Sequence, residues 1–326
     1  MATKRKLQPA VRYLRYELTN SGSAGSETSH YIDLAKDLSA INRRLYRQGR
    51  RYHVKRVSIV SSNTIAGFTA IDQTVIPGAT ALTNNAGRVT ISCAPESWVT
   101  QQAWQRGFKA WTEMQRLAQK TTGSDLRGTW NDFKVYLTSD HATGTKLQPL
   151  DNGGNGVDYG DWAYSDFISP DGSTSSDEFY STLLGDHVGA AGSRTSISLV
   201  KSYGEARATV SQRPTPDTGA VDTDDPLINL FDDGTQVDEI IAKMQSDGED
   251  PPYDIDEYPG DDGNMPKPLV VQQTTLGADG RATVGGFHAM CGLIEIETTS
   301  PIANDVYSVL VELAPGSYRG LAAEVI

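Results

Sequence analysis

Residues 43–56 (RRLYRQGRRYHVKR) hold six arginines, one lysine and one histidine. An arginine guanidinium is a planar, permanently charged fork whose N–H groups match the oxygens of a phosphate. Tyr46 and Tyr52 interleave with the arginines, and aromatic rings set among cations are how unpaired bases are stacked while their phosphates are held. Arg43, Arg44, Arg47, Arg50, Arg51, Lys55 and Arg56 are therefore candidate nucleic-acid contacts. The competing reading is a basic element paired with acidic neighbours of its own fold. Composition weighs the two evenly.

The distribution of charge sharpens the choice. The chain carries 29 Lys+Arg and 41 Asp+Glu, a formal net of -12. Residues 1–56 hold 13 of the basic and 4 of the acidic residues, a net of +9, and the remainder holds 16 and 37, a net of -21. Polarity on this scale points to one surface facing a polyanion and another facing water or a second subunit. The acidic excess peaks between residues 217 and 262, with 16 acidic residues and one base, Lys243.

No other set of residues carries a chemistry as definite. His141 follows Asp140 and His187 follows Asp186, in no nucleophile or metal spacing, so both histidines read as loop residues. The strings HExxH, CxxC, GxSxG and GxxxxGK[ST] are absent, so neither an enzyme nor a cofactor is expected. Two carboxylates at glycosidase separation can be picked from any acidic β-rich chain and carry little weight. Asp254, Asp256, Glu257, Asp261 and Asp262 offer oxygen donors for a hard cation such as Ca²⁺. DIDEYPGDDG nevertheless lacks the sixth-position glycine and the closing glutamate of an EF-hand loop, and a solvated acidic loop is the plainer reading. Cys93 and Cys291 lie in strand-like runs and read as buried thiols rather than a bridge. No apolar run reaches the roughly 18 residues of a membrane span. The basic N-terminal segment is followed by no signal-type apolar stretch, which predicts a reducing compartment.

The elements that must position the basic run follow from periodicity. Mean hydropathy is -0.41 and glycine is frequent, with 31 residues, a profile of many short strands joined by loops. Residues 1–10 read as a basic arm with Lys4, Arg5 and Lys6, and residues 11–19 as a first strand. Leu34, Leu38, Ile41 and Leu45 form one apolar stripe at helical spacing, with Ser29 as the N-cap and Gly49 as the C′ residue. Asp33 and Asp37 at its start, and Arg43, Arg44 and Arg47 at its end, match the helix dipole. Arg50 to Arg56 then lead into a strand, VKRVSIVS. Val89, Ile91 and Cys93 alternate along another strand. A second helix is predicted over 98–120, with Trp104, Phe108 and Trp111 on its buried side and Gly107 among them, marking a close approach of backbone to another element. Residues 132–138 read as a strand, 195–210 as one or two strands, and 214–268 as an acidic surface insertion. After Pro268 the pattern is sheet with hairpin connections. Strands throughout, with no βαβ repeat, predict an all-β antiparallel sandwich.

Four strings taken together, NRRLYRQGRRYHV at 42–54, PESWVTQQAWQRGFKAWTEM at 95–114, NDFKVYL at 131–137 and VELAPGSYRGLAAE at 311–324, resemble the capsid proteins of circular single-stranded DNA viruses that encode a rolling-circle replication initiator. The likeness is closest to smacovirus-like and environmental lineages. It implies a single antiparallel jelly roll of two four-stranded sheets with two inserted helices and long surface loops, over residues 11–326 after the basic arm at 1–10. It implies self-assembly of this chain into a small icosahedral shell of about 60 copies, a closed symmetric homo-oligomer. The basic N-terminal side would line the interior of the virion and meet packaged circular single-stranded DNA, with Lys4, Arg5 and Lys6 projecting inward beside the run at 43–56. No membrane partner is implied. The basic tip is short beside the long arginine-rich arm of circovirus-type shell proteins, which shifts the interior charge towards residues 43–56. A carbohydrate-active β-sandwich, and a monomeric adhesion or binding module with an acidic, Ca²⁺-taking loop, stand as alternatives.

Overall fold

The computed structural model describes residues 9–61, 86–122, 131–169, 177–189, 194–208, 243–244, 247, 268–277 and 279–326. The expected contacts Lys4, Arg5 and Lys6, and nearly all of the acidic insertion at 214–268, lie outside the described residues. In chain order the elements are β1 (Tyr13–Thr19), β2 (Glu27–Asp33), α1 (Leu34–Asn42), β3 (Arg50–Ser61), β4 (Arg88–Cys93), α2 (Trp98–Thr122), α3 (Ser139–Thr143), β5 (Thr145–Lys146), β6 (Asp166–Ser169), β7 (Asp177–Thr182), β8 (Ser196–Ser198) and α4 (Leu199–Ala208). There follow β9 (Leu269–Thr275), β10 (Arg281–Val284), β11 (Phe287–Met290), β12 (Leu293–Thr299), β13 (Val306–Leu313), β14 (Pro315–Gly316), β15 (Gly320–Leu321) and β16 (Ala323–Val325).

The protein is mostly β, built on two antiparallel sheets. One has the order β1-β13-β3-β10, with β11 and β16 also pairing with β3; the other has the order β5-β2-β12-β4-β9. These sheets carry six and five strands rather than the four each that were expected, because β11 and β16 extend along the long β3 and the short β5 adds in parallel to β2. Between these two sheets, strands adjacent in sequence cross at β1 to β2, β2 to β3, β3 to β4, β9 to β10, β11 to β12 and β12 to β13.

Alternation explains which faces meet. In β1, Leu14, Tyr16 and Leu18 are buried while Tyr13, Arg15, Glu17 and Thr19 are exposed, the two-residue period of a strand with one face in the core. These side chains, with Val57 and Ile59 of β3 and Val309 and Val311 of β13, share one hydrophobic cluster with Ile32 of β2, Val89 and Ile91 of β4, and Ile294 and Ile296 of β12. Each such side chain contributes about 1.5–3 kcal/mol when fully buried, so this inter-sheet layer is the main source of stability.

A second hydrophobic cluster covers the other face of β2 and β12. Tyr31 and Leu293 join Val99, Ala103 and Trp104 of α2, Phe133, Val135 and Leu137 of an extended segment, and Leu199, Val200 and Tyr203 of α4. Here Gly107 has the role its position predicted. A Cβ at Gly107 would lie 2.8 Å from one Leu199 methyl and 3.3 Å from the Phe133 ring, so α2 and α4 pack at a distance that only glycine permits without a shift.

Three local expectations are corrected. The first helix begins five residues later than Ser29 and ends at Asn42. Asp33 is its N-cap, its Oδ1 accepting from Lys36 N at 3.1 Å, while Ser29 lies in β2 opposite Glu297. Arg43 adopts the left-handed conformation (φ 54) that ends the helix, so Leu45 and Arg47 lie beyond it. Tertiary bonds override the apolar stripe: Ser39 Oγ accepts from Tyr46 N at 2.8 Å, which turns the chain back and buries Tyr46. Residues 132–138 are extended, but their pairing is one parallel bridge, Tyr136 with Thr182, rather than a strand. Among the described residues of 195–210, only Ser196–Ser198 is strand; Leu199–Ala208 is helix, with Leu199, Val200 and Tyr203 turned into the second cluster.

Candidate nucleic-acid interface

The basic run divides at Gly49. Residues 43–49 form a loop and Arg50 begins β3. Gly49 is not the end of a helix. A Cβ there would come within 2.6 Å of the Trp104 ring, so glycine is needed for the indole of α2 to press against the loop. Its neighbour Gln48, fully buried, ties the loop to both layers of the fold. Gln48 Nε2 donates to Asp33 Oδ2 at 2.7 Å and to the Val135 carbonyl at 3.2 Å, and Gln48 Oε1 accepts from Val135 N at 2.7 Å. Asp33 in turn accepts from Tyr164 Oη at 3.1 Å. Burial of Asp33 pushes its carboxyl up, against the pull of Lys36 N and Gln48, and these donors offset the cost of desolvation.

In the loop, Arg43 and Arg44 are exposed. Arg44 Nη1 reaches the Pro9 carbonyl at 3.5 Å. Asn42 braces the same corner, accepting from Val11 N at 2.7 Å and donating to the Val11 carbonyl at 3.1 Å. Pro9 and Val11 are thus anchored beside the loop. Arg47 makes a loose contact of 3.9 Å with Asp132 and stays 57% exposed.

In the strand, partners come with the ladder. Arg51 is paired in register with Glu324 of β16, and their side chains meet at 3.2 Å. Arg56 is paired in register with Glu312 of β13, whose carboxylate takes Arg56 at 3.0 Å and Lys55 at 2.6 Å. Lys55 first, and Arg56 with it, hold the Glu312 carboxyl below the usual range. Arg50 lies flat on the Tyr318 ring, its guanidinium carbon 3.6 Å from the centroid, and donates to the Ala323 carbonyl at 3.4 Å. Among the described residues these cations meet three carboxylates, those of Asp132, Glu324 and Glu312.

Tyr46 and Tyr52 are not stacking platforms. Both are fully buried; Tyr46 Oη donates to the Arg319 carbonyl at 3.0 Å and Tyr52 Oη to the Arg47 carbonyl at 2.7 Å. Alternation within a short run placed them inward between outward arginines, and each hydroxyl found a backbone acceptor.

The residues that hold the run in place were not picked out from the sequence. Tyr318 Oη accepts from Arg47 N at 3.1 Å, and its ring meets Tyr46 edge-on at 5.8 Å. Arg319, in the left-handed region at φ 51, donates from Nη1 to the Leu45 carbonyl and adds a further cation. The β14–β15 hairpin presents both residues, and the signal for it was the Pro-Gly and Arg-Gly punctuation of PGSYRG. Pairing of β16 with β3 closes the arrangement.

The other candidates are structural. His141, fully buried on α3, accepts from Leu137 N at 3.0 Å, and burial brings its pKa down to about 3. His187 accepts from Ser198 N at Nδ1 and meets Glu205 at 3.2 Å. Cys93 and Cys291 are free, buried thiols, both pushed up by burial. His53 packs on its cross-strand neighbour His288 with ring centroids 3.7 Å apart, and His288 Nδ1 lies 3.0 Å from Glu96. Among the described residues no group of three or more His, Cys, Asp or Glu side chains is disposed to hold a metal ion, and no helix is long and apolar enough to cross a membrane. The cluster Asp254–Glu257, with Asp261 and Asp262, lies outside the described residues. No family model, curated protein or solved structure matches the chain.

Proposed function

We propose that the chain is a viral capsid protein, a jelly roll that self-assembles into a small icosahedral shell and packages circular single-stranded DNA against its basic surface. The observation that supports the jelly roll is connectivity. Eight strands divide between two sheets with the orders β1-β13-β3-β10 and β2-β12-β4-β9, the chain crossing between sheets at every step except β4 to β9, which fits the double Greek key of a jelly roll with β11, β16 and β5 as additions. Capsid domains use that architecture, and so do lectins and cupins, so fold alone does not choose among them. The choice rests on the basic corner. A run of seven Arg and Lys residues at 43–56 whose loop half is exposed, in a chain of net charge -12, suits a polyanion on one side and solvent or neighbouring subunits on the other. The four sequence blocks add to this, since three of them, at 42–54, 131–137 and 311–324, meet at this corner through Gln48, Val135, Tyr318 and Arg319. The packaged partner is read through its phosphates, and the chain works as a homo-oligomer within the virion.

Electron microscopy of the purified protein tests the proposal. Closed particles of one diameter are expected, with nuclease-protected single-stranded DNA inside when the protein assembles in its presence. A protein that stays monomeric across salt and pH would overturn it.

A further inference from the structure

A groove of about 400 Å³ lies where the basic loop, α2 and the last residues of the chain meet. Its rim carries Arg47, Arg50 and Lys109, and Asp132 is its carboxylate. Asp132 is 93% buried and touches Arg47 only at 3.9 Å, while Arg47 keeps more than half of its side chain in solvent. Arg50 is already immobilised on the Tyr318 ring. The floor is aromatic: Trp104 and Phe108 lie parallel, 7° between planes and 5.4 Å between centroids, with Trp104 buried and Phe108 half-buried. A volume of this order is that of a small-ligand site.

We infer that this groove holds one unstacked nucleotide of the bound single strand, with its base on the Phe108 and Trp104 floor and its phosphate on Arg47 and Lys109. Arg47, Arg50 and Lys109 outnumber the carboxyl groups of Asp132 and of Ile326 in the lining, which favours an anion, and an apolar aromatic floor beside them favours an anion that carries a flat ring. A base stacked on an aromatic side chain is held whatever its identity, because every base has a π-face, which suits a protein with no base-reading pattern. The buried Tyr46 and Tyr52 are replaced in this role by aromatic residues of α2, which sit next to the run in space but lie 48 or more positions beyond its end in sequence. The inference rests on the nucleic-acid reading above and deepens it.

The test compares an oligothymidylate with a strand of the same length whose sugars lack bases, both labelled and titrated by fluorescence anisotropy at several salt concentrations. The native protein is expected to bind the intact strand roughly 5- to 100-fold more tightly, the range of one stacked base. Phe108→Leu is expected to erase most of that preference. Lys109→Glu, an exposed change, is expected to weaken both strands alike and covers the case in which Phe108→Leu fails to fold. Equal binding of the two strands by the native protein, with salt dependence intact, would overturn the groove while leaving the capsid reading standing. A preference unchanged in Phe108→Leu would overturn it too. Salt-insensitive binding, or none, to either strand would overturn the nucleic-acid reading itself.

Discussion

The two halves of the basic run, 43–49 and 50–56, are near neighbours in composition and differ in what the fold does with their charge. In β3 the ladder assigns partners: Arg51 faces Glu324 and Arg56 faces Glu312, with Lys55 on the same carboxylate. In the loop no register operates, and Arg43, Arg44 and Arg47 point into solvent around a backbone held by Gln48 and Tyr318. A count of arginines in a sequence window cannot separate these cases. Cations on a strand next to acidic strands become part of the sheet, whereas cations on a loop whose backbone is satisfied internally keep most of their side chains in solvent.

That contrast depends on the loop being rigid, and the largest expected effect comes from removing what makes it so. Gln48→Ala leaves the Val135 N–H and carbonyl without their side-chain partners inside the protein, at about 1–3 kcal/mol for each group. Urea denaturation should show a loss of several kcal/mol in all, and a far smaller loss for Arg51→Gln, since an exposed strand pair contributes about 0–1 kcal/mol. Comparable losses would mean that the loop is not braced through Gln48.

Next in size is a dependence on pH set beneath the same loop. Asp37, one turn after Asp33 on α1, is fully buried and accepts from Tyr16 Oη at 2.5 Å; burial raises its pKa from 3.8 to about 8. Between those values the native state holds a proton that the unfolded chain releases, so this group's contribution to stability falls as pH rises. His141 acts oppositely. Its pKa is about 3 in the fold against 6.5 ordinarily, so between these the unfolded chain holds the extra proton and stability rises with pH. The two offset each other between 3.8 and 6.5, and of the two only Asp37 still acts from 6.5 to about 8. One proton over that window is worth about 2 kcal/mol. Thermal melts should therefore fall from pH 6.5 to pH 8 in the native protein and stay nearly level in Asp37→Asn. An equal fall in both would show that Asp37 is ionised in the fold.

How much of this was legible beforehand follows from the range of the interactions involved. β1, β4, β13 and α2 could be read because burial is set by period alone: Leu14, Tyr16 and Leu18 alternate, and Trp104, Phe108 and Trp111 recur at helical spacing. The end of α1 could not, because Asn42 and Ser39 take partners from Val11 and Tyr46 in place of continuing the helix. β2 was missed because ETSHYID shows no alternation, its two faces being covered by different clusters through Ile32 and Tyr31. α4 reads as strand from its β-rich flank, and its helical face appears only against Gly107. The cations of the candidate interface were visible as letters. Gln48, Tyr318 and Arg319, which position them, act across separations of 87, 271 and 273 residues that no local pattern encodes.

The smallest expected effect is a gain. Glu312→Gln removes the carboxylate shared by Lys55 and Arg56, returning two strand cations to the surface. Single-stranded DNA binding at low salt should tighten a few-fold, with a salt slope steeper by roughly 1; no change would place β3 outside the contact surface.

The most direct measurement is the slope of log K against log salt for single-stranded DNA, taken on the native protein and on two triple variants. One variant changes Arg43, Arg44 and Arg47 to Gln; the other changes Arg51, Lys55 and Arg56 to Gln. Each phosphate contact on a single strand contributes about 0.7 to the slope. The native protein should show a steep negative slope, the loop variant should lose roughly 2 of it, and the strand variant should lose less than half as much. A flat native slope, or a larger loss from the strand variant than from the loop variant, would contradict the assignment of the loop as the surface that meets the nucleic acid.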